Sequence, residues 1–298
     1  MRLPLRLLAA TTLLALLATT PAVAAPEDWQ RVGTDTRGGV SGVAHEGAGA
    51  LVVHDNKRTG QQRLSRLTLG EGPPTATPLS WTGAEPNDLE AIEAVPGAPG
   101  DYLALASRGI VYRVKVDGGT ATVLDHSPLP GIGEGDDFES FALVSRDGRF
   151  AALWADRGAG TDRPATLYAA PLSFASWGQV LFGAVSRRDY RSTYPADAGT
   201  LHVSDITVTD SGRILVGSAL DAGDDGPFDS AVSDAGRVTL SAAGRVRISL
   251  DAAPKVLGTF PGHKIEAVEC LPGTGDALLG TDDENVGGSV RTAPYCGV

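Results

Sequence analysis

The chain has 298 residues, with 25 Lys and Arg against 36 Asp and Glu, for a formal net charge of −11. An acidic chain without a clustered basic run cannot neutralise a phosphate backbone, so nucleic acid and anionic membrane surfaces are not expected partners. Its 38 glycines and 19 prolines and its lack of a long amphipathic stretch point to short strands joined by turns.

Residues 1–24 read as a signal peptide. Arg2 and Arg6 form a basic start, residues 7–17 are apolar apart from Thr11 and Thr12, and Ala22-Val23-Ala24 supplies a small-x-small cleavage site. The apolar run is short for a bilayer span, and the two arginines are not adjacent, which favours the general secretory route. No later segment is apolar enough to cross a membrane. The expected mature chain, residues 25–298, is a single domain, secreted, extracellular and monomeric.

One motif recurs five times: Val40-Ser41-Gly42-Val43, Leu89-Glu90-Ala91-Ile92, Phe138-Glu139-Ser140-Phe141, Val203-Ser204-Asp205-Ile206 and Ile265-Glu266-Ala267-Val268. The steps between second residues are 49, 49, 65 and 62. A second apolar run follows each, such as Leu51-Val52-Val53 or Leu103-Ala104-Leu105. A period of that size built from short strands predicts an all-β, five-bladed propeller. In blade 2 the predicted strands are 89–95, 102–106, 110–116 and 121–124; in blade 3, 138–144, 150–154, 166–170 and 179–182. In blade 4 they are 203–208, 214–216, 245–250 and 255–259. The last blade lacks a fourth strand, and residues 29–33, ahead of the first motif, are expected to supply it, because an open ring would leave an exposed edge. A sixth blade within 190–199 is the rival, but that stretch is short and polar.

In such a ring the loops entering the inner strands and those leaving the second strands share one mouth of the channel. This brings together Asp88, Asp137, His202, His263, Glu90, Glu139, Glu266, Asp205, Lys57, Arg108, Arg157 and Asp282. Turn chemistry accounts for Asp117, Asp147 and Asp210, each just ahead of a turn glycine. It fits Glu90, Glu139 and Glu266 less well, since they fall inside apolar strands at matching places. Carboxylates gathered near one axis need compensation. One reading is a bound calcium ion, with Glu90, Glu139, Glu266, Asp88, Asp137, Asp205 and Asp282 as candidate ligands. Another is donors from Arg108, Arg157, Lys57 and ordered water; a third is a catalytic acid and base. Lys57, Arg108, Arg157, His202 and His263 are candidates to hold a ligand. No HExxH, GxSxG or phosphate-loop pattern occurs.

Asn87-Asp88-Leu89-Glu90-Ala91-Ile92, with Val111-Tyr112-Arg113-Val114, resembles the blades of the SdiA-regulated propeller family. His263-Lys264-Ile265-Glu266-Ala267-Val268, followed by Leu278 to Asp283, is similar to segments of phytase-like and esterase-like secreted propellers. Ala91 and Ala267 stand where those families carry glycine. The resemblance implies a calcium-associated propeller and, more loosely, phosphoester or ester hydrolysis. The expected function is a ligand-binding or interaction module, for a small molecule or an extracellular partner; the alternative is a metal-assisted hydrolase of such esters.

The two cysteines, Cys270 and Cys296, both fall in the last blade. An isolated pair in an exported chain reads as one disulfide pinning the C-terminal tail.

Overall fold

The structure, a computed structural model, describes residues 28–33, 38–70 and 72–297; the expected leader lies outside them. Five sheets stand round a common axis. Their inner strands are Gly42–Glu46, Leu89–Ala94, Phe138–Arg146, Thr200–Val208 and Ile265–Cys270. Each inner strand touches the next, and the fifth touches the first, which makes a five-bladed β-propeller. Among the described residues there is no α-helix, only a 3₁₀ turn at Glu284–Val286.

The core is not one layer but five, each between neighbouring blades. Alternation along a strand divides its side chains between two of them. In the second strand of blade 2, Asp101–Ala106, Leu103 and Leu105 face blade 3 and meet Phe138, Phe141 and Trp154. Tyr102, Ala104 and Ala106 face blade 1 and meet Leu51, Val53 and Leu64. Burial on both faces is why these strands read as continuous apolar runs. Full burial of side chains the size of Phe138 and Leu103 contributes roughly 1.5–3 kcal/mol each.

The strand boundaries differ from expectation in three places. The third strand of blade 4 is Ser230–Leu240, and the two segments expected as its third and fourth strands both lie in one long outer strand, Val246–Thr259. Ser230–Leu240 is interrupted in sequence by Ser233, Asp234 and Gly236, where the register shifts, and such interruptions hide a strand from an apolar-run criterion. Pro254 within the outer strand is tolerated because an edge strand can spare an amide. Blade 2 carries an extra strand, Ser80–Thr82, parallel to the outer strand Thr120–Pro128. In blade 3 the third strand, Ala165–Phe174, pairs with both Val180–Phe182 and Ser186–Tyr190. No blade occupies residues 190–199.

Gln30–Arg31 pairs antiparallel with Ser289–Ala293 in blade 5, matching Gln30 to Val290 and Arg31 to Ser289. Those two residues lie at the outer edge of that sheet. Trp29 beside it sits edge-on to Phe260 at 5.9 Å and 4.5 Å from the ring of His263, with the Arg291 guanidinium 5.5 Å over its face. Cys270 and Cys296 are disulfide-bonded, their Cα atoms 5.7 Å apart.

Candidate functional site

Glu90, Glu139 and Glu266 share a backbone irregularity. In blade 2, Leu89 pairs with Ala106 and Ala91 with Leu105, leaving Glu90 unopposed. In blade 3, Phe138 pairs with Asp156 and Ser140 with Ala155, leaving Glu139. In blade 5, Ile265 pairs with Thr281 and Ala267 with Gly280, leaving Glu266. Each is the extra residue of a β-bulge at the head of an inner strand, a device that re-aims a side chain. Blade 4 has a larger irregularity, from His202 to Ser204. Close packing of the ring requires glycine at the equivalent of Ala91 in blade 1: a Cβ on Gly42 would lie 2.8 Å from Ala91 Cα and 2.9 Å from the Glu90 carbonyl oxygen.

The three glutamates are buried and electrostatically coupled. Burial pushes Glu90 well above the ordinary carboxyl range, and Glu139, Glu266 and Asp88 push it further. Burial also raises Glu139, to about 7, against the opposing pull of Arg157. Glu266 is raised well above normal by burial, with Lys264 working the other way. Protein cations meet two of the three. Arg157 Nη1 lies 3.3 Å from Glu139 Oε1 while its Nη2 holds Asp137 at 3.1 Å. Lys264 Nζ lies 2.8 Å from Glu266 Oε1. Glu90, only 8% exposed, has no ion pair or side-chain hydrogen bond among the described residues.

The other expected residues sort into those at this mouth and those engaged elsewhere. Asp88 has φ +65°, a left-handed conformation uncommon for a side-chain-bearing residue. It is fixed by Ser107 Oγ donating to Oδ2 at 2.7 Å and by Lys57 at 3.1 Å from Oδ1. Asp282 is buried and packs over Gly39, where a Cβ would overlap its carboxylate; its Oδ1 accepts the Glu284 amide at 3.0 Å. Burial raises it to about 7, helped by Asp55. A cavity of about 460 Å³ opens here between blades 1 and 5, lined by Asp55, Lys57, Arg58, Asp282 and Glu284. Arg108 donates to the Asp136 carbonyl at 3.4 Å at the rim.

Three residues are not free to hold a ligand. Asp205 is aimed at the neighbouring blade, where its Oδ2 accepts the Val268 amide at 2.7 Å. His202 is locked, with Nε2 2.6 Å from the Gly160 carbonyl oxygen and Nδ1 3.0 Å from Ser192 Oγ. His263 bonds Asp283 Oδ2 at 3.0 Å and packs at a tilt against Trp29. Asp156 and Asp283, at the exits of second strands, cap the segment that enters the inner strand of their own blade: Asp156 Oδ2 accepts Asp137 N at 3.1 Å, and Asp283 Oδ1 accepts Lys264 N at 2.7 Å.

Lys264 carries the largest compensation at the mouth, yet it was absent from the expected ligand set. Its position one residue ahead of Ile265, beside the repeated motif, was the available signal. Glu93 and Glu269, three residues beyond Glu90 and Glu266, were likewise missed; the repeated Glu-x-x-Glu spacing on two inner strands was the clue.

Calcium takes six to eight oxygens. Here Glu139, Asp137, Glu266 and Asp88 are each engaged by a cation of the protein, and Asp205 and Asp282 by backbone amides. Among the described residues no three His, Cys, Asp or Glu side chains are grouped to hold a metal ion. The donor set does not fit the expected calcium site.

The chain is a five-bladed β-propeller with buried glutamates at the heads of three inner strands, two of them ion-paired. No family model matches the chain, and no curated protein matches it. Among solved structures, it is similar to a GH43 endo-arabinanase from Bacillus licheniformis, at 12% identity and a TM-score of 0.49 over 89% of this chain and 96% of that one. It is also similar to a GH43 β-1,3-galactosidase solved with galactodeoxynojirimycin, at 11% identity and a TM-score of 0.48 over 90% and 94% of the two chains. A mutant GH43 protein, also from Bacillus licheniformis, has 15% identity and a TM-score of 0.42; the match covers 72% of this chain and 43% of that one. Likenesses at this level carry no functional conclusion for this chain.

Proposed function

We propose that the chain is an exported, monomeric, ligand-binding propeller, and that the mouth around Glu90 takes a small polar molecule offering a hydroxyl or cationic donor. One observation carries the reading: Glu90, a residue only 8% exposed with no ion pair or side-chain hydrogen bond to the described residues, stands beside two glutamates that are paired. Buried polar groups without partners are disfavoured, so such a group in a folded protein is a site candidate. The leader-like N-terminus and the disulfide support an exported setting.

The test is thermal melting and calorimetric titration with neutral sugars, polyols, small amines, calcium chloride and a chelator. The reading expects one organic class to bind saturably and to weaken roughly tenfold or more in Glu90→Gln. If instead calcium raises and the chelator lowers the melting temperature, with both responses lost in Glu90→Gln, the metal reading replaces it.

A second reading rests on Glu139. A carboxyl near 7 can give and take a proton at neutral pH, and the charge of Glu139 helps to push Glu90 up. Such a pair suits hydrolysis of acetal or ester bonds without a metal. Chromogenic glycosides, phosphate esters and acyl esters test it: turnover abolished by Glu139→Gln and by Glu90→Gln supports it, and no turnover on any of them rejects it.

A further inference from the structure

On the far side of the ring the inner strands end around a cavity of about 600 Å³. Its walls are largely apolar, with Leu143, Val144, Val208, Leu271 and the Cys270–Cys296 disulfide. Two carboxyl groups stand among them, Glu93 from blade 2 and Glu269 from blade 5. Each engages the next blade with one oxygen: Glu93 Oε1 accepts Leu143 N at 3.1 Å, and Glu269 Oε1 accepts His45 N at 3.1 Å. The other oxygen of Glu269 has no hydrogen-bond partner among the described residues, although the residue is only 8% exposed and lines the cavity. Burial pushes Glu269 up to about 7, and it pushes Glu93 up as well, with Glu269 adding to it.

No Lys or Arg lines this cavity among the described residues; His45 and Asp210 are its other ionisable side chains. The situation differs from the first mouth, where Lys264 and Arg157 supply the positive charge. An acid pair with one member buried and the other half-buried, and with no cation of its own, is half of an ion pair. The apolar walls decide which cation completes it. They offer a hydrated metal ion few of the oxygens it needs, whereas an ammonium needs only two or three acceptors and its hydrocarbon body gains from the same walls. The volume is that of a small-molecule site.

We propose that this cavity binds a small organic ammonium, its N–H groups donated to Glu269 and Glu93 and its apolar body laid against Leu143, Val208, Leu271 and the disulfide. The binding is independent of whatever occupies the Glu90 mouth at the other end of the channel.

The experiment is calorimetric titration of the full chain at pH 8 with 2-phenylethylammonium and n-butylammonium, with 2-phenylethanol and calcium chloride as controls. The ammonium ions are expected to bind saturably and the neutral alcohol not to. Glu269→Gln, which keeps an oxygen to accept His45 N, should weaken binding roughly ten- to hundredfold, the range for losing a charge-assisted hydrogen bond. Val208→Trp, which fills the cavity and leaves Glu93 and Glu269 in the sequence, should bring a similar loss, and Glu90→Gln should leave binding unchanged. Melting temperatures of the variants show that each is folded. Affinity should also fall between pH 8 and pH 6 as Glu269 takes up a proton. Absence of saturable binding by either ammonium, equal binding of the alcohol, calcium binding in their place, or indifference to both Glu269→Gln and Val208→Trp each overturns the proposal.

Discussion

The ammonium of Lys264 lies 2.8 Å from Glu266 Oε1 with both side chains 9% exposed, and the same nitrogen is 2.6 Å from Glu284 Oε1. Burial alone would lower the Lys264 pKa, but Glu266 and Glu284 outweigh it and hold the lysine charged. Glu266 and Glu284 are thus both met by one cation of the protein.

Removing that cation leaves a buried glutamate uncompensated. Lys264→Met should destabilise the protein by about 3 kcal/mol at pH 8, as for other broken buried pairs. Much of that loss should return at pH 5, where Glu266 can take a proton, and Lys264→Met/Glu266→Gln should recover it at both pH values. Urea unfolding of the two variants at pH 5 and pH 8 measures the pattern; equal losses at both pH values would contradict it.

Stability should fall as pH rises through neutrality. Burial raises Glu139, Glu269 and Asp282 to about 7 in the folded protein, from ordinary values of 4.5, 4.5 and 3.8. Between those limits the folded state binds more protons than the unfolded one, so unfolding free energy decreases with increasing pH. Stability from these groups is complete below about pH 4 and is lost by about pH 7 to 8. Asp101 and Glu85 act in the opposite sense, since both are lowered in the folded protein, and they limit the gain at acid pH. The melting temperature should be higher at pH 5 than at pH 8 by ~4–8 °C, equivalent to ~2 kcal/mol, and Glu139→Gln should flatten the profile. Scanning calorimetry across that range is the measurement, and a profile rising from pH 5 to pH 8 would reject the assignment.

The N-terminal strand should matter far beyond its two residues. Trp29→Ala loses the contacts with Phe260, His263 and Arg291, and is expected to cost about 3 kcal/mol. Deleting residues 28–33 uncovers the edge of Ser289–Ala293 and should replace one cooperative melting transition with a broad or split one. Unchanged melting after the deletion would show that the ring holds without it.

Thiol titration of the denatured, unreduced protein should find no free cysteine. Cys270→Ser with Cys296→Ser should lower stability by about 3.5 kcal/mol, the chain-entropy value for a sequence separation of 26. A loss below about 1 kcal/mol would mean that the tail is held by its other contacts, such as the Cys296 amide to the Gly275 carbonyl at 2.8 Å.

Much of the architecture was legible because both faces of a blade's central strands are buried. Leu103 and Leu105 serve one inter-blade layer and Ala104 the next, so the run has to be apolar throughout and its recurrence gives the blade count. Ser230–Leu240 escaped that logic because its bulges admit Ser233, Asp234 and Gly236. At the site, the matching positions of Glu90, Glu139 and Glu266 were readable from the repeat. Which carboxyl meets which partner was not. Arg157 and Lys264 come from loops whose course depends on Asp156 and Asp283 capping them, and Asp205, one place after the glutamate position of the motif, reaches a backbone amide of blade 5.

The bulges have a consequence for engineering. An unopposed residue has no cross-strand partner in its own sheet, so exchanging it leaves the ladder on either side intact. Glu90, Glu139 and Glu266 are the unopposed residues of the bulges in blades 2, 3 and 5. A library varied only at these three sites would alter charge and reach at the heads of three inner strands while leaving the ladder beside each in register. The ring could then be given new recognition by substitution alone, without grafted loops.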